Sequence, residues 1–260
     1  MTNAVTVLGG SAASVGTGQG CAGYLMQAGE TRLVLDLGPD TLQELRKHTD
    51  FRALDAVVIS HLHVDHMLDV IAMRFSLAYN SVKTSRKVAL WMPPGGIALL
   101  AKLGEAFDFE GDASTFFSCV FDVNEYDPEA SLAIGDVILT FAPTVHWVPC
   151  WAIRVEPNDG SGALCYTADT GPAAELSQLS AGAAIVIAEA TTPITQKADG
   201  FRGHLAIDEA ATLATTAGAR TLLVTHMFEE NDPAATVKSA ATWFGGEIVH
   251  ARPGTVVQWP

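Results

Sequence analysis

The sequence predicts an α/β protein whose sheets are covered by helices, and three observations carry that prediction. Short apolar runs of four or five residues recur along the chain, cut by Gly, Pro and Asp, which is the pattern of buried strands. Two longer segments, 206–216 and 234–243, alternate with such runs late in the chain and read as helices packed on a sheet. Hydrophobic residues make up 48% of the chain and charged residues only 17%, enough apolar surface to close a substantial core and too much for a disordered chain.

In order, Val5–Leu8 reads as a strand that ends in a Gly/Ser-rich loop from Gly9 to Gly20. Tyr24–Met26 and Leu33–Asp36 follow as strands on either side of a turn at Gly29-Glu30. Asp40 is placed to cap a short helix through Leu45. Ala56–Ile59 is a fully apolar strand running straight into Ser60-His61. In the second half, Val137–Phe141, Ala152–Val155, Ala163–Tyr166, Ala184–Ala188 and Leu222–Val224 are strands. No repeat, low-complexity tract or linker divides the chain, so residues 1–260 are expected to form one domain.

The 15 Lys and Arg against 29 Asp and Glu give a net charge of −14, which argues against a broad surface for phosphate backbones and so against a long nucleic acid as partner. No apolar run reaches the roughly 18–20 residues of a membrane span. The start Met1-Thr2-Asn3-Ala4-Val5 lacks a basic, apolar leader, so a cytoplasmic location is expected. Cys21, Cys119, Cys150 and Cys165 form no C-x-x-C pair and are expected to be reduced thiols. Gly9-Gly10-Ser11 follows a strand as a phosphate-binding turn does, but the spacing fits neither a dinucleotide nor a P-loop motif. Close backbone approach near a site is its expected use.

The informative segment is Ser60-His61-Leu62-His63-Val64-Asp65-His66. Four metal-competent side chains fall within six residues at a strand end. While the chain stays extended, positions 61, 63 and 65 share one side, and the backbone must turn for His66 to join them. Imidazole and carboxylate suit a borderline divalent cation such as zinc, while the same set accepts manganese or iron according to supply. Three more candidates end strands: His146, Asp169 and His226. Together they supply seven ligands, enough for two metal ions with a shared carboxylate. Two adjacent cations activate a bridging water and clamp the oxygens of an in-line displacement.

The motif HLHVDH, followed in order by His146, Asp169 and His226, resembles the metallo-β-lactamase-fold hydrolases over nearly the whole chain. The resemblance implies a four-layer αββα sandwich with the metals at one edge between the sheets. It implies that His61, His63 and His146 hold one metal, that Asp65, His66 and His226 hold the other, and that Asp169 bridges them. Asp169 in Thr-Ala-Asp-Thr, with Ala188-Glu189-Ala190-Thr191 and Gly203-His204-Leu205, is similar to the ribonuclease Z branch of phosphodiesterases. By that likeness His204 assists the leaving group, so Asp65, His204 and Glu189 are the residues expected to act in catalysis, with Glu189 orienting His204. In the tRNA-processing members a long arm lies between the ligands matching His146 and Asp169. Only 22 residues separate them here, so the chain looks like a small, armless member.

The resulting expectation is a binuclear hydrolase of a small-molecule phosphodiester, a cyclic nucleotide first, acting through a hydroxide that bridges the metals. Hydrolysis of a lactone, ester or β-lactam by the same centre and an RNA phosphodiesterase of ribonuclease Z type are its rivals, and a metal-holding module without turnover is the non-enzymatic reading. No membrane partner is expected, and the resemblance suggests a homodimer. Trp147, Trp151 and Phe228 flank the ligands and either stack on a base or cover the sandwich edge. Asp36 either supports a ligand histidine or caps the turn at Gly38-Pro39.

Overall fold

A computed structural model describes residues 3–84, 86–108, 112–196 and 200–259. Among them, strands β1 (Asn3–Gly9), β2 (Gly23–Ala28) and β3 (Thr31–Leu37) form an antiparallel meander, with Gly29 at φ 57° making the β2–β3 turn. Helix α1 (Thr41–His48) leads to β4 (Ala56–Val58), which lies parallel to β3. One helical turn, α2 (Val64–Met67), and a longer helix, α3 (Asp69–Tyr79), precede β5 (Val88–Met92). Helix α4 (Gly96–Phe107) then connects to β6 (Phe121–Glu125), again parallel to its neighbour.

The second sheet repeats the scheme. Strands β7 (Leu132–Ile134), β8 (Val137–Pro143), β9 (Trp151–Pro157) and β10 (Ala163–Tyr166) pair antiparallel. After the short α5 (Ser177–Ser180), β11 (Ala183–Glu189), helix α6 (Ile207–Ala217), β12 (Thr221–Thr225), helix α7 (Pro233–Ser239) and β13 (Glu247–His250) follow, the strands parallel. Strand β14 (Val256–Trp259) returns to pair with β1. The described strands thus make two seven-stranded sheets, ordered β14-β1-β2-β3-β4-β5-β6 and β13-β12-β11-β10-β9-β8-β7.

The sheets face one another across a buried cluster drawn from both, with Val5, Tyr24, Leu35 and Val58 on one side and Leu139, Ile153, Leu164, Ile187 and Leu223 on the other. The opposite face of the first sheet packs Leu25, Val34 and Val57 against Leu45 of α1 and Met73 and Leu77 of α3. The opposite face of the second packs Val186 and Val224 against Ala210, Ala211 and Ala214 of α6. This is the expected αββα sandwich. The central strands, such as β1, β4, β10, β11 and β12, are buried on both faces, which is why they read as continuous apolar runs rather than alternating ones.

Several elements differ from the sequence reading. Asp40 does occupy the position before α1, but its side chain makes no cap; Asp69, at the start of α3, accepts from Leu42 N at 2.9 Å instead. The second long helix stops at Ser239 and continues as a 3-10 turn over Ala240–Thr242. Helix α6 begins after Ala206, which has no side-chain acceptor; Glu209 reaches back to the Ala206 amide at 2.8 Å, as the acidic partner in a capping box does. Among the described residues no helix is long and apolar enough to cross a membrane.

Leu164 is fully buried between the two sheets. Its replacement by Ala should cost about 2–5 kcal/mol, the range for a leucine cavity in a rigid core. The midpoint of urea unfolding reports it; an unchanged midpoint would mean that the two sheets do not share a packed interior.

Candidate metal centre

The parallel strands deliver most of the candidate residues at their carboxyl ends, the edge where α/β sheets place ligands. Asp36 is the penultimate residue of β3, Glu189 ends β11 and His226 follows β12. Asp169 follows β10, and His146 follows β8. Beyond β4 the chain stays extended through His63, with φ −70° and ψ 149°. The extended run stops there rather than at position 65. Helix α2 starts at Val64, so Asp65 and His66 point inward from one helical turn instead of by strand alternation. His61 and His63 keep the alternation and lie side by side.

All seven side chains named in the sequence converge, and they do so as two groups. In the first, His63 Nδ1 lies 3.2 Å from His61 Nε2 and 3.0 Å from His146 Nε2. Asp169 Oδ2 is 3.8 Å from His61 Nε2 and 3.7 Å from His146 Nε2. In the second, His226 Nε2 is 3.1 Å from Asp65 Oδ2 and 3.3 Å from His66 Nε2. Asp169 closes this group too, Oδ1 at 3.3 Å from His66 Nε2 and Oδ2 at 3.5 Å from His226 Nε2. Donors around one four-coordinate ion with bonds of about 2.0–2.2 Å lie about 3.3–3.6 Å apart, so both groups have the spacing of a coordination polyhedron.

The far side of each ring decides which nitrogen is free. His66 Nδ1 donates to Asp36 Oδ2 at 2.7 Å, and His146 Nδ1 donates to the Gly203 carbonyl at 2.9 Å. Ser60 Oγ donates to Asp36 Oδ2 at 2.8 Å and therefore accepts from His61 Nδ1 at 3.0 Å. Thr191 Oγ1 donates to Glu189 Oε2 at 2.6 Å and accepts from His226 Nδ1 at 2.8 Å. Four imidazoles thus turn a bare Nε2 inward, the tautomer a metal ligand needs.

Electrostatics points the same way for three of the histidines. Burial holds His61, His63 and His146 below the usual imidazole pKa, hence neutral. Burial would also lower His66, but Asp169 and Asp36 on either side of it reverse the direction and raise it. Burial would raise the carboxyl of Asp169, and the histidines His226, His66 and His61 overcome that and hold it well below the usual range. Asp36, Asp65, Asp169 and Glu189 are all buried carboxylates, and among the described residues every ion pair they make is with a histidine. Asp169 Oδ1 is buried with no hydrogen-bond donor. Anionic oxygen and bare imidazole nitrogen in a buried cavity fit a divalent cation.

The His204–Glu189 contact falls as expected. His204 Nδ1 lies 2.9 Å from Glu189 Oε1, and the ring sits 5.1 Å from that of His146 and 5.6 Å from that of His226, between the two groups. Burial would lower its pKa, but the Glu189 hydrogen bond and charge raise it. The aromatic candidates separate. Trp151 packs edge-on against buried Tyr126 and belongs to the core, while Trp147 lies over the site, its ring 5.1 Å from His146 and from His204. Phe228 is half-buried beside the loop that follows His226.

Several contributors escaped the sequence reading. Tyr166 donates to Asp36 Oδ2 at 2.7 Å, and the Ala13 amide donates to Asp65 Oδ2 at 2.9 Å, which is the close backbone approach that the Gly/Ser loop provides. Ser60, Thr191 and the Gly203 carbonyl orient the rings of His61, His226 and His146 as described. Ser60 and Thr191 adjoin recognisable motifs and were the findable ones; a backbone amide carries no sequence signal.

A buried histidine–carboxylate centre at the edge of an αββα sandwich defines a metal-dependent hydrolase. Residues 31–227 match the Beta-lactamase superfamily domain, and the chain belongs to that family. It is 31% identical to the probable metallo-hydrolase YhfI of Bacillus subtilis, over 97% of this chain and 98% of that one. The crystal structure of YhfI superposes with a TM-score of 0.86 at 29% identity, covering 99% of this chain and 100% of YhfI. A ribonuclease Z of Mycobacterium bovis is 28% identical over 86% of each chain. A diphosphatase of the PhnP family shares the fold at a TM-score of 0.74 and 16% identity, over 99% of this chain and 98% of its own.

Asp36 touches no inward-facing donor directly, yet it fixes the ring of His66. Replacing it by Asn should weaken zinc binding about 10–100-fold, as loss of such a support does. Competition against a chromophoric chelator measures this, and wild-type affinity in Asp36→Asn would show that His66 is oriented by its packing alone.

Proposed function

We propose that the protein is a binuclear phosphodiesterase of small phosphodiesters, with a cyclic nucleotide as the first substrate to test. His61, His63 and His146 hold one ion, Asp65, His66 and His226 the other, and Asp169 bridges them. Zinc suits this donor set best. When bound, the cations supply Lewis acidity and lower the pKa of a water nucleophile.

The observation that carries the reading is His204. Its Nδ1 proton is committed to Glu189, and its ring lies between the two ligand groups, which leaves Nε2 free to serve a substrate held there. The raised pKa keeps a proton there to be given to a departing oxygen. An alkoxide leaving group, as in a phosphodiester, needs that proton. Ribonuclease Z and the PhnP-family diphosphatase, both enzymes of phosphate esters or anhydrides by name, support the same class. The interval between His146 and Asp169 is occupied by β9 and β10, and the net charge is −14, which together favour a small substrate over a tRNA. Activity toward bis-p-nitrophenyl phosphate and cyclic AMP, with none toward a lactone or a chromogenic cephalosporin, is the expected outcome; the reverse pattern would replace the reading with carbonyl-ester hydrolysis.

Elemental analysis of the active protein should find two metal equivalents per chain. Asp169→Ala should lose much of the second equivalent and nearly all activity. A single tightly bound equivalent in fully active protein would reduce the centre to a mononuclear one.

His204→Ala should lower turnover of cyclic AMP by roughly 10²–10⁴-fold with metal content nearly unchanged. Hydrolysis of bis-p-nitrophenyl phosphate, whose leaving group needs little protonation, should fall much less. Equal losses on both substrates would give His204 a positional role rather than a proton to donate.

A further inference from the structure

Two of the largest apolar side chains in the protein stand in solvent beside the centre. Trp147 is 61% exposed and Phe201 62% exposed, with ring centroids 5.7 Å apart at 71°. Neither ring is needed to fill the sandwich, whose buried clusters exclude both. A lone exposed ring needs no explanation, but two adjoining exposed rings beside a buried polar centre mark a surface on which something binds.

The pair is held rigidly. The loop carrying Trp147 is stitched to the residues around Asp169: Thr144 Oγ1 donates to the Asp169 carbonyl at 2.8 Å, and Gly171 N to the Val145 carbonyl at 2.7 Å. The indole lies at 71° to His146 and at 58° to His204, both 5.1 Å away. Position 203 must be glycine for this, because a Cβ there would come within 2.6 Å of the Trp147 ring. The strand of chain carrying Phe201 is tied down by Arg202, which grips Glu209 through Nη1 at 3.0 Å and Nη2 at 2.5 Å. One edge of the indole therefore touches a ligand ring and the leaving-group histidine, while much of its surface stays open.

We propose that Trp147 and Phe201 form a stacking platform for the nucleobase of a nucleotide substrate, a specificity-determining pair that rests on the phosphodiesterase reading above. The chemistry selects a planar aromatic moiety. An edge-to-face pair presents one ring face to stack on and a second ring to close the side, and stacking accepts any base because every base has a π face. Placement next to His146 and His204 separates the platform from the reacting centre by one side chain, as a ribose separates a base from its phosphate. The rigid anchoring means that little side-chain freedom is lost on binding.

The test compares cyclic AMP with methyl riboside 3′,5′-cyclic phosphate, which has the same reacting centre and no base, using the zinc-loaded full chain. Wild-type protein should prefer cyclic AMP, and Phe201→Ala and Trp147→Ala should each cut the ratio of the two kcat/KM values roughly 5- to 150-fold, the range for one base–aromatic stack. The change should fall on KM, because stacking acts alike in ground and transition states. Trp147→Phe should retain most of the ratio. Equal kcat/KM for the two substrates in the wild type, or a ratio that neither alanine variant alters, would overturn the platform while leaving phosphodiester hydrolysis intact. Calorimetric binding of AMP against ribose 5-phosphate gives a readout without turnover. A preference for AMP that vanishes in Trp147→Ala supports the platform even if no phosphodiester is cleaved, and no preference counts against it.

Discussion

A carboxylate wholly withdrawn from solvent, Asp36, accepts hydrogen bonds from four groups: the Ser60 amide at 2.7 Å, the Ser60 hydroxyl at 2.8 Å, His66 Nδ1 at 2.7 Å and the Tyr166 hydroxyl at 2.7 Å. A buried charge is tolerable only with such a set of donors. The donors come from the chain after β4, from α2 and from β10, so one side chain of β3 joins both sheets and the motif segment at a single point. Through Ser60 the same carboxylate also aligns His61, so it orients one imidazole in each of the two groups. Burial keeps the Tyr166 phenol protonated, which makes that bond across the sheets a lasting one.

The backbone bears a cost for this convergence. Asp36, Ala168 and His226 have φ of 57°, 49° and 52°, a region that residues with a Cβ occupy rarely. Each such residue costs of order 1–3 kcal/mol and persists only where its surroundings over-determine it. Asp36 is fixed by its four donors, Ala168 sits buried immediately before Asp169, and His226 is held by Thr191. Gly38 serves the same end by close approach: a Cβ there would collide with the Asp65 carbonyl, so only glycine lets the β3 turn pass beneath α2. Rigid donors in prepaid positions are what a centre of fixed geometry requires.

The parts of this architecture legible in the sequence are those encoded locally. Six consecutive residues, His61 to His66, announce a metal site because no packing argument calls for so many ligands at a strand end. Buried parallel strands such as Ala184–Ala188 read clearly because both faces are covered. The stretch from α3 to β7 did not, although Val88–Met92 is as apolar as its neighbours and Pro93-Pro94-Gly95 marks its end. Helix α3 mixes exposed Phe75 and Tyr79 with buried Arg74, whose guanidinium lies 3.8 Å over the Phe116 ring, so its periodicity is blurred. The exchange of Asp40 for Asp69 as the cap of α1 is a contact between separate helices, which no local signal reports.

The structure uses one device, a carboxylate gripping Nδ1 of a histidine, for two different ends, and the surroundings of the other nitrogen decide which. His66 has Asp36 behind it and Asp65 and Asp169 in front, so its Nε2 faces anionic oxygen, a setting that favours positive charge. His204 has Glu189 behind it and lies partly open to solvent at the mouth of the site, the setting that the proposed proton donor requires. The two uses are not independent. Glu189 also receives the Thr191 hydroxyl, and Thr191 in turn accepts from His226, so the carboxylate that holds His204 also holds a ring of the second group. The positions of His204 and His226 are therefore coupled through a path of three short hydrogen bonds, and one residue at the end of β11 stands in the middle of it.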